Sequence, residues 1–199
     1  MNRKYLLGVA HTDGEENKTL GVLREYFSPG DIVAIELEPL VAKVVQSTIR
    51  ETLNNPEKLK EILTDCGVPF NFYWGNLMRL SVLNNLQIKF LPLENRQLID
   101  KATPLLNEYL EKGLETLGKK KIDIFIQNYV LDREKYFGSM IKSRKPAGII
   151  VGSNHVDYFL SNFPEYNLIY NCEKDFSFED SLGQRINVLR QKEFNSETL

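Results

Sequence analysis

Apolar runs alternating with amphipathic segments predict an α/β fold: a three-layer, mainly parallel sheet of about five strands, helices on both faces, and a helical insertion. Two observations carry this. Five short apolar runs have no helical period and end in polar or turn residues. The segments between them repeat apolar residues at three- and four-residue steps, and strands separated by helices favour parallel pairing with both sheet faces covered.

Taken in order, Lys4 to Ala10 reads as the first strand, closed by a polar turn. Glu15 to Phe27 places Leu20, Leu23 and Phe27 at helical spacing, and Ser28-Pro29-Gly30 stops it. Asp31 to Leu37 is a second buried strand, and Pro39 suits the first turn of a helix running to about Leu53. Pro56 opens a short helix ending near Gly67. An aromatic patch, Phe70, Phe72, Tyr73 and Trp74, leads into a helix through about Asn84, and packing is its default reading ahead of a pocket mouth or a dimer contact. Gln87 to Leu93 alternates as a third strand. A long helical region runs from Asn95 to about Ser143, interrupted near Pro104 and Gly118. Ala147 to Val151 and Tyr166 to Cys172 supply strands four and five. Phe178 to Phe194, with Leu182, Ile186 and Leu189 on one face, closes the chain as an amphipathic helix.

Length suits one domain, residues 1–199, with a helical elaboration at about 56–143. A net charge of -2 gives no electrostatic reason to expect nucleic acid or an anionic membrane as partner, and Lys119 to Lys121 reads as a solvated helix end. No stretch has the length of a signal-peptide core or a bilayer span. Cys66 and Cys172 lack metal-type spacing and are read as reduced structural thiols, so a cytoplasmic location is expected.

The only two histidines stand in matching contexts. Gly8-Val9-Ala10-His11-Thr12-Asp13 ends strand one, and Gly152-Ser153-Asn154-His155-Val156-Asp157 ends strand four. Both read apolar strand, then Gly-x-x-His-x-Asp. Ligands of open α/β sheets sit beyond the carboxyl ends of the strands, where a glycine lets the backbone turn sharply. Two parallel strands ending alike would set both imidazoles on one rim, able to ligate one metal or to divide base and acid roles.

Glu36 follows Ile32-Val33-Ala34-Ile35 directly, where a buried carboxylate needs compensation from a metal, an arginine or a substrate group. Glu38 fits better as a carboxylate facing water or bonding the next helix. Ile122, Ile126, Tyr129, Arg133, Phe137 and Met140 mark a buried helix stripe, on which Arg133 needs a carboxylate or an anionic ligand. Asp132 and Glu134 should face elsewhere. Glu94, after strand three, is either a site residue or a charge at a helix start.

These residues resemble the TraB/PrgY-like and Tiki proteins of the erythromycin-esterase/ChaN-like superfamily. Gly8-Val9-Ala10-His11 is similar to the family's opening Gly-x-x-His, and Glu36-Leu37-Glu38-Pro39 to its Glu-Leu-Asp-Pro element. Leu131-Asp132-Arg133-Glu134 with Gly138-Ser139-Met140 looks like the later helix, and Ile149 to His155 like the closing Gly-x-x-His. Asp132 and Glu134 replace the family's usual Glu and Asn, and Val41 stands where many relatives carry arginine. The resemblance implies varied activities. Tiki proteins are manganese- or cobalt-dependent proteases, erythromycin esterases are hydrolases with a catalytic histidine, TraB/PrgY members act in pheromone shutdown, and ChaN binds haem.

The expectation that follows is a metal-dependent hydrolase acting on a peptide or a related amide or ester. His11, Glu36 and His155 would hold one divalent ion, Mn, Co or Zn, with an open position for water. Glu94 or Asp157 would accept a proton, and Arg133 would stabilise the oxyanion. Two alternatives stand beside it: a metal-independent, esterase-like hydrolase with a histidine general base, and a non-enzymatic regulatory protein that binds a peptide or small ligand. A peptide or small molecule is the expected partner, and homo-oligomerisation stays open.

Overall fold

The computed structural model describes residues 3–12, 14–66, 72–113, 118–172 and 185–191. The chain divides into two compact units, Met1–Glu94 with Gly138–Glu173, and Asn95–Phe137 with Lys174–Leu199. The expected helical elaboration at 56–143 is split between them, its first part lying in the same unit as the strands.

In the first unit, strands β1 (Lys4–Val9), β2 (Ile32–Ile35), β3 (Lys89–Pro92), β4 (Gly148–Gly152) and β5 (Tyr166–Asn171) form one sheet in the order β3-β2-β4-β1-β5. Every neighbouring pair is parallel. The fold is therefore the expected three-layer α/β class. The runs Ile-Val-Ala-Ile of β2 and Ile-Ile-Val of β4 are apolar on both sides because both sheet faces are covered.

Alternation divides those side chains. Leu7, Val9, Val33, Ile35 and Ile150 enter one core with Leu23 of helix α1 (Glu15–Tyr26), Val41 and Val45 of α2 (Pro39–Thr52), Leu59 and Leu63 of α3 (Pro56–Asp65), and Tyr73, Trp74 and Leu77 of α4 (Phe72–Leu83). Burying each aliphatic side chain of this size stabilises the fold by about 1.5–3 kcal/mol before entropy is counted. Leu6, Ala34, Ile149 and Val151 are buried on the opposite face. There the short helix α8 (Val156–Asn162) approaches β1 so closely that a Cβ on Gly8 would stand 2.5 Å from Val156 Cγ2.

Helix starts follow the local sequence. Pro39 and Pro56 occupy first-turn positions, where a missing N–H costs nothing, and the Asn55 side chain accepts the Lys58 N–H at 3.1 Å. Helix α8 had no sequence forecast: it is only seven residues long, and Val-Asp-Tyr-Phe-Leu-Ser-Asn is poor in strong helix formers.

The second unit contains α5 (Arg96–Lys112), α6 (Gly118–Ile126) and the start of α7 (Asp132–Arg144). Its core gathers Phe125, Ile126, Val130, Leu131 and Ile186. The expected interruption at Pro104 is corrected: α5 runs straight through it, although proline removes the N–H that would meet the Asp100 carbonyl. Gly113, at φ +75°, follows the end of α5. Residues 185–191 are helical, and the remainder of the expected helix at 178–194 lies outside the described residues, as do Phe70 and Asp13.

Between α6 and α7 the helix widens to a π turn over Gln127–Leu131. One added residue per turn rotates the stripe expected from a constant 3.6-residue period. Ile126, Arg133 and Phe137 are buried as that period demands, but so is Glu134, at 1% exposure, which corrects its expected outward placement. Arg190 meets the Glu134 carboxylate through Nε at 3.0 Å and through Nη2. Asp132, in contrast, takes hydrogen bonds from Gln127 and Lys101; burial by itself would raise its pKa, yet these donors outweigh it and hold the carboxyl below the usual aspartate range.

Two glycines with opposite surroundings test the packing. A Cβ on Gly148 would enter the Phe27 ring, so Gly148→Ala is expected to cost about 1–3 kcal/mol in denaturant unfolding, with Phe27→Leu recovering part of it. Gly21, mid-helix in α1, has nothing within 4 Å of its Cβ position, and Gly21→Ala is expected to stabilise by about 0.5–1 kcal/mol. Arg190→Ala, which strips the guanidinium from a buried carboxylate, should lower stability by about 2–3 kcal/mol, and a double-mutant cycle with Glu134→Gln should show coupling of the same sign.

Candidate functional site

The sheet order explains how distant motifs meet. β4 pairs with β1 on one side, with Val9 opposite Gly152, and with β2 on the other, with Ile35 opposite Ile150. Three adjacent strands therefore end side by side and deliver His11, His155 and Glu36 to one rim. Ligands of open parallel sheets bind at this end, where the chain leaves neighbouring strands toward opposite faces.

Glu36 is the middle of the group. It is the first residue past β2 and keeps only 7% exposure. Its Oε2 accepts the Gly152 backbone N–H at 2.8 Å. His11 Nε2 lies 3.9 Å from the same oxygen, and His155 Nε2 lies 3.7 Å from Oε1. Each imidazole thus faces one oxygen of a shared carboxylate from just beyond direct hydrogen-bonding distance.

The two glycines of the paired motif have different tasks. Gly8 admits Val156 and Asn171, as the packing of α8 requires. Gly152 clears the carboxylate: a Cβ there would stand 3.3 Å from Glu36 Oε2 and 3.7 Å from His11 Nε2. Past Gly152 the chain makes a single 3-10 turn, Ser153–His155, and His155 caps α8.

The histidines differ in surroundings. His155 is buried at 5% exposure, whereas the His11 side chain keeps 36%. The His11 ring stacks on Tyr73 at a centroid distance of 5.4 Å and meets Trp74 edge-on at 4.9 Å. Tyr73 exchanges a 2.9 Å hydrogen bond with Thr19, and burial pushes its hydroxyl well above the ordinary tyrosine range despite that bond. Tyr73 and Trp74 are thus part of the site's wall as well as of the core. The sequence expectation placed packing ahead of a pocket mouth for this patch, and Tyr73 and Trp74 serve both.

Glu94 lies in the neighbouring β3 connection, buried, with its backbone N–H on the Leu37 carbonyl at 3.1 Å. That bond sets it beside the segment that follows Glu36. Glu38 is buried as well, which corrects the water-facing one of its two expected positions; it occupies the N-cap of the next helix, α2, without a side-chain capping bond. Asp157 is exposed on the first turn of α8, two residues beyond His155. Arg133 belongs to the second unit. Its guanidinium lies over the Tyr129 ring at 4.9 Å and the Phe137 ring at 5.4 Å and donates to the Tyr129 carbonyl at 3.1 Å.

No protein-family model matches the chain, and comparison with curated proteins and with solved structures yields no match.

The donor types suit a divalent cation: two imidazoles and one carboxylate are a borderline-hard set. Two donors bound to one ion by bonds near 2.1 Å stand about 3–3.6 Å apart. The observed separations of 3.7 and 3.9 Å exceed that by a few tenths of an ångström. Among the described residues, no set of three or more His, Cys, Asp and Glu is closed to coordinating geometry as it stands. The set fits an ion in its donor chemistry, and both imidazoles would have to draw closer to the carboxylate to share one.

Removing Glu36 separates its structural from its electrostatic contribution. Glu36→Ala leaves the Gly152 N–H without this acceptor and is expected to lower unfolding stability by about 1–3 kcal/mol. Glu36→Gln keeps an acceptor of the same shape and should lose less than half as much in the same denaturant titration.

Proposed function

We propose that the chain is a hydrolase of peptide or related amide or ester bonds, acting through His11, Glu36 and His155 as a relative of the TraB/PrgY-like and Tiki proteins. The supporting observation is the approach of both imidazole Nε2 atoms to the two oxygens of one buried carboxylate. A buried carboxylate with titratable neighbours at a strand-end rim is a pattern that active sites share.

His11, Glu36 and His155 would hold a divalent ion of the Mn, Co or Zn class, which when bound supplies Lewis acidity toward a scissile carbonyl and a lowered pKa for water. The chain's own residues have separable tasks. Glu36, pinned by the Gly152 N–H, presents one oxygen toward each imidazole. His155, buried at the start of α8, is held away from bulk water, whereas half-open His11 is the imidazole an incoming substrate would meet. Glu94 is the nearer choice for a proton acceptor than Asp157, because it is buried beside the segment following Glu36 while Asp157 is exposed. The absence of a strong net charge agrees with a substrate chosen by local chemistry, not by long-range attraction.

A second reading keeps the residues and dispenses with the ion. His11, oriented by the Glu36 carboxylate 3.9 Å away, would act as general base on an ester.

The deciding measurement is the metal content of protein purified without added metal, alongside hydrolysis of an ester and peptide panel. About one equivalent of metal, lost in both His11→Ala and His155→Ala, with hydrolysis falling at least about 100-fold, is the expected result. Failure to bind Mn, Co or Zn, with hydrolysis persisting in chelator, would replace it with the second reading. Neither metal binding nor hydrolysis would leave a site that binds a peptide or small ligand without turning it over.

A further inference from the structure

The loop that carries His11 is held from the side by a helix that contributes no metal-type ligand. Between β1 and α1 the chain passes through Gly14, the N-cap of α1, at φ +91°, a conformation that favours glycine. Two separate contacts from α4 reach this loop. Tyr73 and Trp74 bracket the His11 ring, one stacked and the other edge-on. Two residues on, Asn76 donates to Glu16 Oε1 at 3.0 Å, and Glu16 Oε2 in turn accepts the Gly14 N–H at 2.8 Å.

The helix itself is anchored on its other sides. Arg79 donates from Nε to the Asn76 side chain at 2.9 Å and from Nη1 to the Leu53 carbonyl at 2.6 Å, tying α4 to the end of α2. Gly75 lets α4 settle on α3 and α2, since a Cβ there would stand 3.0 Å from Leu63 Cδ1 and 3.3 Å from Val45 Cγ2. Glu16 is buried, and its two carboxylate oxygens join α4 to the backbone of Gly14. One ring bracket and one carboxylate tether thus grip the loop at both ends, from a helix fixed to two others.

From this arrangement we infer that α4 is the positioning element for His11, with Tyr73 setting the ring and Asn76, through Glu16, setting the loop. The inference deepens the reading of the His11–Glu36–His155 site and rests on it. A side chain with about a third of its surface open would otherwise sample several rotamers, and a ligand imidazole is oriented by its surroundings as much as by its own backbone. The edge-to-face and stacked pairs also favour one ring orientation.

Trp74 is the only tryptophan of the chain, and His11 and His155 are its only histidines, so both partners can be followed individually. The test titrates Mn(II) into the full chain by calorimetry, with Trp74 fluorescence recorded in parallel and folding monitored by circular dichroism. Tyr73→Leu and Asn76→Ala are each expected to weaken Mn(II) binding by about 10–100-fold with the fold intact, as loss of an orienting neighbour does. Tyr73→Phe, which keeps the ring and loses only the Thr19 hydrogen bond, should restore binding to within about twofold of the parent. Parent-like Mn(II) affinity in folded Tyr73→Leu and folded Asn76→Ala would overturn the inference while leaving the metal reading in place.

If the parent itself binds no Mn(II), the metal reading fails and the bracket is read without it. Acylation of the two imidazoles by diethyl pyrocarbonate, resolved by mass spectrometry, then reports the freedom of each. His11 modification faster by several-fold in Asn76→Ala, with His155 unchanged, supports the inference; equal His11 rates in parent and variant overturn it. Asn76 is partly exposed, so this variant keeps the experiment decisive even if Tyr73→Leu does not fold.

Discussion

A carboxylate removed from water at the end of a strand loses several kcal/mol of hydration unless something replaces the solvent. Glu36 is in that position, and what replaces the solvent comes from the two strands next in the sheet: a backbone N–H from the end of β4, one imidazole from the end of β1 and another from the turn after β4. The arrangement makes strand order a chemical matter. Were β4 at the sheet edge, neither its N–H nor His155 would reach β2, and the carboxylate would have to face water. The absence of a side chain at Gly152 belongs to the same constraint, since the group that would occupy its Cβ position would press on Glu36 and His11 together.

The same dependence runs outward from the rim. His11 stands where Tyr73 and Trp74 leave it, and those rings stand where α4 is packed on α2 and α3. The apolar core is therefore not a neutral support. Its aromatic members change from filling space to shaping a site within two residues of each other, which is why burial alone describes them incompletely.

Much of this was legible in the sequence. Five apolar runs gave five strands because a parallel sheet buried on both faces leaves no polar alternation to obscure them. The pair His11 and His155 was visible because each imidazole follows a glycine at the same offset, and Glu36 because an acidic residue directly after Ile-Val-Ala-Ile is conspicuous. Other features left no such trace. Helix α8 has seven residues, too few for a period to show. The π turn at Gln127–Leu131 breaks the assumption of a constant 3.6-residue step, and the burial of Glu134 beside Arg133 depends on Arg190, far along the chain. Pro104 normally ends a helix, yet α5 tolerates one missing rung. Glu38 and the aromatic bracket depend on neighbours brought from elsewhere in the chain, and local spacing holds no record of them.

The central place of β4 has a further consequence for how the protein is made. β1, β2 and β3 leave the ribosome well before residue 148, and only β2 and β3 can pair with each other in the meantime. The inner edges of β1 and β2 stay open over a synthesis interval of several seconds, at elongation rates of about 5–20 residues per second. Unpaired edges of apolar strands are templates for association with other chains. The nascent protein therefore passes through a period in which its future interior is its most adhesive surface, and that period ends when the strand bearing the second histidine motif slots between its neighbours.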